Sequence, residues 1–230
     1  DEIFGGYPWF YLPEMLSRDF FPWIHDPMAR VSLFRREIAR PDEGLAYLTE
    51  KYRAAVAAVD TLDTDTSEMR RSRIASVLSQ SYFMQSLLER KDRMSMANGL
   101  EVRVPFSDHR IAAYLYNVPW SYKFENGVEK SLLREAMRDV LPDEIYRRKK
   151  SPYPKTHSRA YERAVLSMLK ARLSRPGSPL AALVDPAKVR SLLDGEEDVT
   201  WFGQLMARPQ LLAWLCQFDR FLESYRVELI

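Results

Sequence analysis

Cysteine and glycine are both scarce in this chain of 230 residues. The single cysteine, Cys216, excludes an internal disulfide and a multi-cysteine zinc site, and it favours a reducing, cytoplasmic compartment. Only 8 glycines are present, well under the average of about 7% of residues, which disfavours glycine-rich phosphate loops and β-meanders with tight turns. We therefore expect a mainly helical protein.

An excess of charge of one sign and long apolar runs are also lacking. The 34 Lys and Arg residues face 32 Asp and Glu residues, so we expect no nucleic-acid partner and no membrane-surface partner. No apolar run approaches the roughly 20 residues that cross a bilayer, and no transmembrane helix is predicted. The first residues have neither an initiator Met nor the basic-then-apolar order of a signal peptide. The chain is expected to begin inside a longer protein.

Hydrophobic periodicity predicts helices along most of the sequence. Thr66 and Asp185 are expected N-terminal caps, because their side chains can accept hydrogen bonds from free backbone N–H groups. Period-two alternation occurs only over residues 100–106, which predicts one short strand. The spacing of apolar residues predicts helices over residues 42–59, 66–90, 107–116, 129–140, 160–173 and 209–222, and one that begins at Pro186.

The opening turn carries two adjacent carboxylates, Asp1 and Glu2, before a Gly5-Gly6 pair. Hard oxygen ligands beside a flexible backbone suit Mg²⁺, with water and phosphate filling the remaining positions. The structural alternative is a solvated turn with no ligand.

The segment 92–108 contains the turn dipeptide Asn98-Gly99, followed by Glu101 and Arg103. In an extended segment these two side chains share a face, because side chains alternate with period two. The pair suits a zwitterionic ligand, or else it is a structural ion pair at the end of a helix.

Four cations in a row, residues 147–150, precede Pro152 and Pro154. Prolines stiffen the backbone, and preorganised cations stabilise phosphoryl or nucleotidyl transfer electrostatically. Upstream, Lys130 and Arg134 are four residues apart on one predicted helical face and can add to the same positive pocket. The alternative for both groups is a solvated surface. The three histidines show no metal-ligand spacing, and Cys216 lies in an apolar run where a small buried hydrophobe is expected.

Taken in order, these segments resemble the synthetase domain of glutamine-dependent asparagine synthetases. Residues 1–7 are similar to the end of the family segment G-E-G-A-D-E-(L/V)-F-G-G-Y. Residues 95–108 resemble S-M-x-x-G-(V/L)-E-x-R-x-P-F-L-D, with Ser107 where leucine is usual. Residues 130–134 match K-x-x-L-R, and Leu141-Pro142 followed by Arg147-Arg148-Lys149 is similar to L-P-x-x-(I/V)-x-x-R-x-K. On this resemblance, residues 1–230 belong to one synthetase domain, in which the motifs lie within residues 1–154 and residues 155–230 form a helical tail.

The resemblance implies a ligase that uses ATP and Mg²⁺. In that family, the aspartate side-chain carboxylate attacks ATP to give an aspartyl-adenylate and pyrophosphate, and ammonia derived from glutamine then displaces AMP to form asparagine. The resemblance implies a catalytic role for Lys149, which is to neutralise phosphate charge during adenylation. Asp1, with Glu2 beside it, falls on the acidic position associated with magnesium and pyrophosphate.

The remaining carried-over positions concern binding. Glu101 and Arg103 match positions that shape the acceptor side of the pocket. Lys130, Arg134 and Arg147 are the expected substrate- or nucleotide-binding cations. A homodimer is compatible with the resemblance.

The implied fold is an α/β adenine-nucleotide-α-hydrolase-like domain of the PP-loop ATP pyrophosphatase type. This chain would be its mainly α, helical C-terminal portion, with the parallel sheet largely missing. No S-G-G-x-D-S loop and no N-terminal glutaminase cysteine are found, and the family's catalytic glutamate would precede Asp1 by three residues. We therefore expect the glutaminase and PP-loop segments to be missing, and the 230 residues alone to be inactive.

Two alternatives stay open. β-Lactam synthetases and macrolactam-forming amide synthetases share the adenylation chemistry, although the run S-M-A-x-G-L-E-V-R-V-P-F favours asparagine synthetase. A helical interaction module without chemistry is the other alternative. The sequence upstream of Asp1 would discriminate among them.

Overall fold

The computed structural model describes residues 1–149, 158–195 and 207–227. Within these ranges the backbone is mainly helical and contains no β-strand, so the expectation of a mainly helical chain is confirmed. An isolated antiparallel bridge pairs Phe34 with Val184. No described helix combines the length and the apolar character needed to span a lipid bilayer.

Twelve α-helices are found in the described residues, joined by short turns of 3₁₀-helix and by one π-helical segment, Ser79–Met84. In chain order the helices are α1 (Pro8–Tyr11), α2 (Pro41–Ala57), α3 (Ser67–Leu78), α4 (Gln85–Met96), α5 (His109–Tyr116), α6 (Trp120–Lys123), α7 (Ser131–Ala136), α8 (Asp143–Tyr146), α9 (Arg159–Leu173), α10 (Pro179–Leu183), α11 (Pro186–Asp194) and α12 (Arg208–Tyr225).

The chain divides into two compact units. The first comprises Asp1–Pro22 and Lys51–Lys150, and the second comprises Trp23–Glu50 and Ser151–Ile230. The chain passes from one unit to the other after Pro22, within α2 after Glu50, and after Lys150. All candidate site residues from the sequence belong to the first unit.

Helix starts follow the local capping chemistry. The Oγ1 atom of Thr66 accepts a hydrogen bond from the Met69 N–H at 3.1 Å, and an Asp185 carboxylate oxygen accepts two from the first turn of α11. Both predicted caps are confirmed. Asp108 caps α5 in the same way, through the Arg110 N–H at 2.8 Å.

Three sequence predictions need correction. The strand predicted over residues 100–106 is wrong: residues 100–104 are irregular and Pro105–Ser107 is a 3₁₀ turn, because Pro105 opens a turn and no strand pairs with the segment. The helix predicted over residues 129–140 is shorter, since it begins only after Lys130, which is left-handed, and ends before Met137. The helix predicted over residues 66–90 continues to Met96, with the π segment between α3 and α4.

Aromatic stacking holds α1 and α6 together in the first unit. The rings of Tyr11 and Phe124 stack with centroids 4.9 Å apart, Phe124 stacks on Trp120 at 5.4 Å, and Phe10 stacks on Trp120 at 5.8 Å. Gly5 lies under the same Trp120 ring, since a Cβ there would be 2.5 Å from the ring atom Cζ3. The opening turn is therefore packed between aromatic side chains.

A buried ion pair joins Arg73 of α3 to Asp65, which lies just before that helix. Arg73 and Asp65 are 4% and 5% exposed, and the Arg73 Nε atom lies 2.8 Å from a carboxylate oxygen of Asp65. Arg73 also donates to the carbonyl of Tyr116 and to the side-chain oxygen of Asn117. Buried charges persist when they are paired and hydrogen-bonded, and this guanidinium is bonded on several sides.

The second unit is built around the packing of α9, α10 and α12. Asp219 of α12 is fully buried there, and its carboxylate receives a hydrogen bond from Arg172 of α9 at 2.7 Å. Cys216 is buried, in agreement with its expected role as a small core residue. The surrounding core consists of Leu33, Val165, Leu169, Leu180, Val184, Val189, Leu211, Leu212, Leu215 and Cys216.

Lys123 is almost completely enclosed, with 1% of its surface exposed, and its ammonium donates to the carbonyl of Leu115 at 2.5 Å. Burial, with a smaller contribution from the positive charge of Arg73, lowers the pKa of Lys123 from 10.5 to about 8. The unfolded chain therefore holds this proton at pH values where the native protein has released it. The contribution of Lys123 to the free energy of unfolding is therefore expected to rise between pH 8 and 10.5.

Lys123→Met tests that linkage. Between pH 7 and pH 10.5, the free energy of unfolding of the unsubstituted protein should rise by roughly 3 kcal/mol relative to that of the variant, because only the former releases a buried proton. The Leu115 carbonyl keeps its bond from the Val118 N–H in the variant. Urea denaturation across this pH range measures the difference, with Lys91→Met, which removes an exposed ammonium, as the control. Parallel pH profiles for Lys123→Met and the unsubstituted protein would contradict the prediction.

Candidate functional site

The acidic turn, residues 1–6, folds back on itself through one backbone hydrogen bond. The N–H of Gly6 donates to the carbonyl of Asp1 at 2.9 Å. Glu2 is held by the hydroxyl of Tyr7, which donates to its carboxylate at 2.8 Å, and the Tyr7 ring stacks on Trp9 with centroids 4.4 Å apart. Both carboxylates are thus partly buried and fixed in place.

Burial alone would raise the pKa of Glu2, but the pKa lies below its ordinary value. A hydrogen bond from its own backbone and one from the Tyr7 hydroxyl stabilise the carboxylate. Glu2 is therefore an anion at neutral pH, as a metal or cationic ligand would require.

Gly6 leaves no room for a side chain. A Cβ at this position would overlap the Asp1 carboxylate oxygen Oδ1 and the Lys130 side-chain atom Cε, and it would lie 3.1 Å from the Asp1 Cα. The absence of a side chain at Gly6 allows the acidic turn and the start of α7 to meet.

Lys130 joins the acidic turn to α7. Its ammonium lies 2.5 Å from the Asp1 oxygen Oδ1, and both side chains are about one-quarter exposed, at 24% and 25%. Burial lowers the pKa of Lys130, with Arg134 acting in the same direction, whereas the carboxylates of Glu129 and Glu2 oppose the shift. Lys130 is thus surrounded by charges of both signs.

The backbone of Lys130 is left-handed, with φ 58° and ψ 32°. For a residue with a side chain this conformation costs roughly 1–2 kcal/mol. Such strain persists only where surrounding contacts enforce it. Here the ion pair with Asp1 and the close approach of Gly6 supply those contacts.

Arg134, one turn further along α7, contacts the main chain with each of its three nitrogens. Nε donates to the carbonyl of Glu129 at 3.0 Å, Nη1 donates to the carbonyl of Tyr146, and Nη2 donates to that of Arg148 at 2.9 Å. The last two carbonyls lie at the end of α8 and directly before Lys149. Arg134 therefore fixes the backbone that leads to Lys149.

The basic segment, residues 147–149, is exposed. The Arg147 guanidinium pairs with Asp143 of α8 at 2.9 Å. Lys149 is exposed and forms no ion pair with another described residue. Lys150, Pro152 and Pro154 of the predicted basic loop lie outside the described residues.

Glu101 and Arg103 pair with each other at 2.7 Å, and their side chains are 66% and 83% exposed. They stand on the irregular segment where the sequence predicts a strand. The same segment reaches the acidic turn through Phe106, whose ring meets Phe4 edge-on with centroids 6.0 Å apart.

The carboxylates suit a magnesium ion shared with phosphate rather than one enclosed by protein. No group of three or more His, Cys, Asp or Glu side chains that could hold a metal occurs within 1–149, 158–195 and 207–227. Mg²⁺ in nucleotide sites commonly takes one or two carboxylates and completes its shell with phosphate oxygens and water. Asp1 and Glu2 offer that donor set.

Sequence reasoning missed two residues of this site, Gly6 and Tyr7. The Gly5-Gly6 pair is visible in the sequence, but the pattern by itself indicates only a flexible turn. The role of Gly6 is steric and depends on Lys130, which is distant in sequence.

Comparison with known proteins decides the family. The family model for asparagine synthase matches residues 1–223. The chain belongs to the asparagine synthase family. The resemblance predicted from the motifs is therefore confirmed.

Two relatives show how the similarity to the asparagine synthase family is distributed. Asparagine synthetase [glutamine-hydrolyzing] 3 of Bacillus subtilis is 42% identical over 232 aligned residues, which cover 100% of this chain and 38% of the relative. The human asparagine synthetase [glutamine-hydrolyzing] is 45% identical over 67 residues, 28% of this chain and 12% of the relative. The chain thus spans little more than a third of the bacterial relative's length.

Gly6→Ala is expected to lower the free energy of unfolding by about 1–3 kcal/mol, because the added methyl group forces Asp1 and Lys130 apart. The loss should shrink in a Lys130→Ala background, where the crowded side chain is absent. Urea denaturation of the single and double variants measures both effects.

Gly127→Ala is the matched control for that substitution. Gly127 has a left-handed φ of 74°, but a Cβ there would meet nothing within 4 Å. Its destabilisation should come from the backbone alone and should be the same with and without the Lys130 side chain. An equal response of both glycine variants to Lys130→Ala would refute the crowding at Gly6.

Proposed function

We propose that the chain belongs to an ATP-dependent, AMP-forming asparagine synthetase. Aspartate and ATP form a β-aspartyl-adenylate and pyrophosphate, and ammonia, free or released from glutamine, displaces AMP to give asparagine. The observation that carries the proposal is the joining of the acidic turn and the basic segment by one helix, α7, through Lys130 and Arg134. The whole-chain identity to the bacterial relative supports it.

The ten positions of L-P-x-x-(I/V)-x-x-R-x-K, counted from Leu141, end at Lys150, so the expectation for Lys149 is off by one residue and Lys150 is the catalytic cation in this proposal. Adenylation builds negative charge on the phosphate being transferred, and a positioned ammonium stabilises that charge in the transition state.

Asp1 and Glu2 are proposed to hold Mg²⁺ together with the pyrophosphate. The ion, when bound, would neutralise phosphate charge and orient the leaving group. Asp1 is paired with Lys130 in the described structure, so a cation already balances this carboxylate. If Mg²⁺ occupied this carboxylate, the Lys130 ammonium would be available to a phosphate oxygen.

The other assigned residues divide by ligand. We assign Lys130, Arg134 and Arg147 to the phosphate side of the site, and Glu101 and Arg103 to the acceptor side. The exposure of the Glu101–Arg103 pair, at 66% and 83%, supports an ion pair that can open toward a zwitterionic amino acid.

The complete enzyme would carry more than these residues. We propose that a PP-loop nucleotide-binding segment and a glutaminase segment complete an α/β synthetase domain and its ammonia supply. The length difference between this chain and the Bacillus subtilis relative leaves room for both.

A chimera tests the function directly. The 230 residues would replace the matched portion of the Bacillus subtilis relative, which is aligned with this chain from end to end. The chimera is expected to form asparagine from aspartate, ATP and glutamine with release of AMP and pyrophosphate. The 230 residues expressed alone are expected to give no ATP–pyrophosphate exchange. Failure of a folded chimera to make asparagine would refute the assignment.

Lys150→Ala in the chimera should reduce asparagine formation by about 100-fold or more while glutamine hydrolysis continues. The reason is that the lost ammonium acts on the adenylation step and not on the glutaminase reaction. Coupled assays of pyrophosphate and of glutamate measure the two activities separately. Lys91→Ala, at an exposed position of α4, is the control. Unchanged synthesis would remove Lys150 from the site.

A further inference from the structure

Two asparagine-glycine pairs, Asn98-Gly99 and Asn126-Gly127, lie exposed in the first unit. Both glycines are left-handed, and a Cβ at either would meet nothing within 4 Å. Glycine after asparagine leaves the backbone nitrogen unshielded, so that this nitrogen can attack the side-chain amide. We propose that Asn126-Gly127 is a self-modification site, where the folded protein forms a succinimide, and that Asn98-Gly99 is protected from the same reaction.

The reaction begins with attack of the Gly127 backbone nitrogen on the Asn126 side-chain carbon Cγ. The new N–Cγ bond closes a cyclic imide, the Cγ–Nδ2 bond breaks, and the amide nitrogen leaves as ammonia with the proton lost by the Gly127 N–H. Water then adds to either imide carbonyl and gives aspartate or isoaspartate, in which the main chain runs through the side-chain carboxyl. The reaction needs only water, so it is independent of the proposed synthetase function.

At Asn98-Gly99 both reacting groups are held by hydrogen bonds. The Asn98 Nδ2, which would be the leaving group, donates to the carbonyl of Met94 at 2.8 Å. The Gly99 N–H, which would be the nucleophile, donates to the carbonyl of Met96 at 2.9 Å. Both bonds must break before the imide can form.

At Asn126-Gly127 neither reacting group is held. The Asn126 side chain and the Gly127 N–H form no hydrogen bond with any residue in the described part of the chain. The neighbouring residues are anchored: Val128 N–H donates to the carbonyl of Glu125 at 3.0 Å, and Glu125 N–H donates to the Ser131 hydroxyl oxygen at 2.8 Å. The two reacting residues are therefore the unbonded tip of a fixed turn.

The backbone of Asn126 determines how the reaction starts. Its φ of 53° and ψ of 30° are left-handed, and the attack requires rotation about its Cα–C bond out of this region. The turn must therefore open locally, which breaks the bond from Val128 and relieves a conformation that is unfavourable for a residue with a side chain. Opening at Asn98 has to break the bonds of both reacting groups, so we expect the reaction there to be slower by about 10-fold.

The product would alter the approach to α7. Isoaspartate adds a methylene group to the main chain inside the turn that the Val128 N–H closes, and either product adds a carboxylate four residues before Lys130. Lys130 is the cation that pairs with Asp1. The modification would therefore change both the geometry and the charge of the segment that leads to this ion pair.

Peptide mass spectrometry tests the proposal on the 230-residue chain, with a cooperative guanidinium transition as the criterion that the chain is folded. Trypsin places the two pairs on separate peptides, residues 94–103 and 124–130. After incubation at mildly alkaline pH in native buffer, peptide 124–130 should have exchanged amide for carboxyl about 10-fold faster than peptide 94–103. In guanidinium chloride the two rates should agree within about 3-fold, because the unfolded chain keeps neither set of hydrogen bonds.

Two results of this measurement would overturn the proposal. One is equal rates for the two peptides in native buffer. The other is a native rate at Asn126 more than about 100-fold below the rate in guanidinium chloride, since the turn would then protect the pair. Peptide 124–130 should also contain isoaspartate, which an isoaspartyl carboxyl methyltransferase labels with a methyl group from S-adenosylmethionine. Aspartate without isoaspartate would exclude the succinimide.

Matched variants give a second measurement on the intact protein. Asn126→Gln should remove most of the ammonia that the folded chain releases, because glutamine would have to close a larger ring. Asn98→Gln makes the same change at the protected pair and should leave the release nearly unchanged. An equal loss of ammonia release in the two variants, or no loss in Asn126→Gln, would refute the assignment to Asn126.

Discussion

A single ion pair, between the Lys130 ammonium and the Asp1 carboxylate, joins the acidic turn to α7 across a glycine that has no room for a side chain. The acidic turn and the start of α7 meet at that junction. The left-handed residue Lys130 directly precedes α7. One turn later, the Arg134 side chain extends from the helix and donates to the backbone of the basic segment. Two charged regions far apart in sequence therefore depend on the same short helix.

The site also balances its own charges. Lys130 and Arg134 are accompanied by Asp1, Glu2 and Glu129, so partly buried charges of one sign are compensated by the other. For the proposed synthetase this matters because magnesium and a polyphosphate bring the same two signs. On binding, the charges of the ligand would replace the partners that these side chains have within the protein. No buried charge would then be left uncompensated.

Local chemistry made much of the helical structure predictable. Thr66 and Asp185 cap their helices because the required atoms lie within three residues, and the apolar spacing of α9 and α12 decides the core of the second unit. The prediction of a strand over residues 100–106 was wrong, because an alternating pattern does not show whether a neighbouring strand is present to pair with it. The motifs identified the family and located the charged residues, yet neither the steric role of Gly6 nor the carbonyl contacts of Arg134 could be predicted, since their partners are distant in sequence.

The second unit carries a constraint of a different kind. Asp219 is completely enclosed, and Arg172 and the Leu180 N–H are hydrogen-bonded to its two carboxylate oxygens. Arg175 and Glu223 belong to the same network, since Arg175 lies 3.8 Å from Asp219 and Arg172 lies 3.5 Å from Glu223. A neutral residue at position 172 or 219 would remove the nearest partner of a charge in this network, so substitutions at these four positions are expected to occur together.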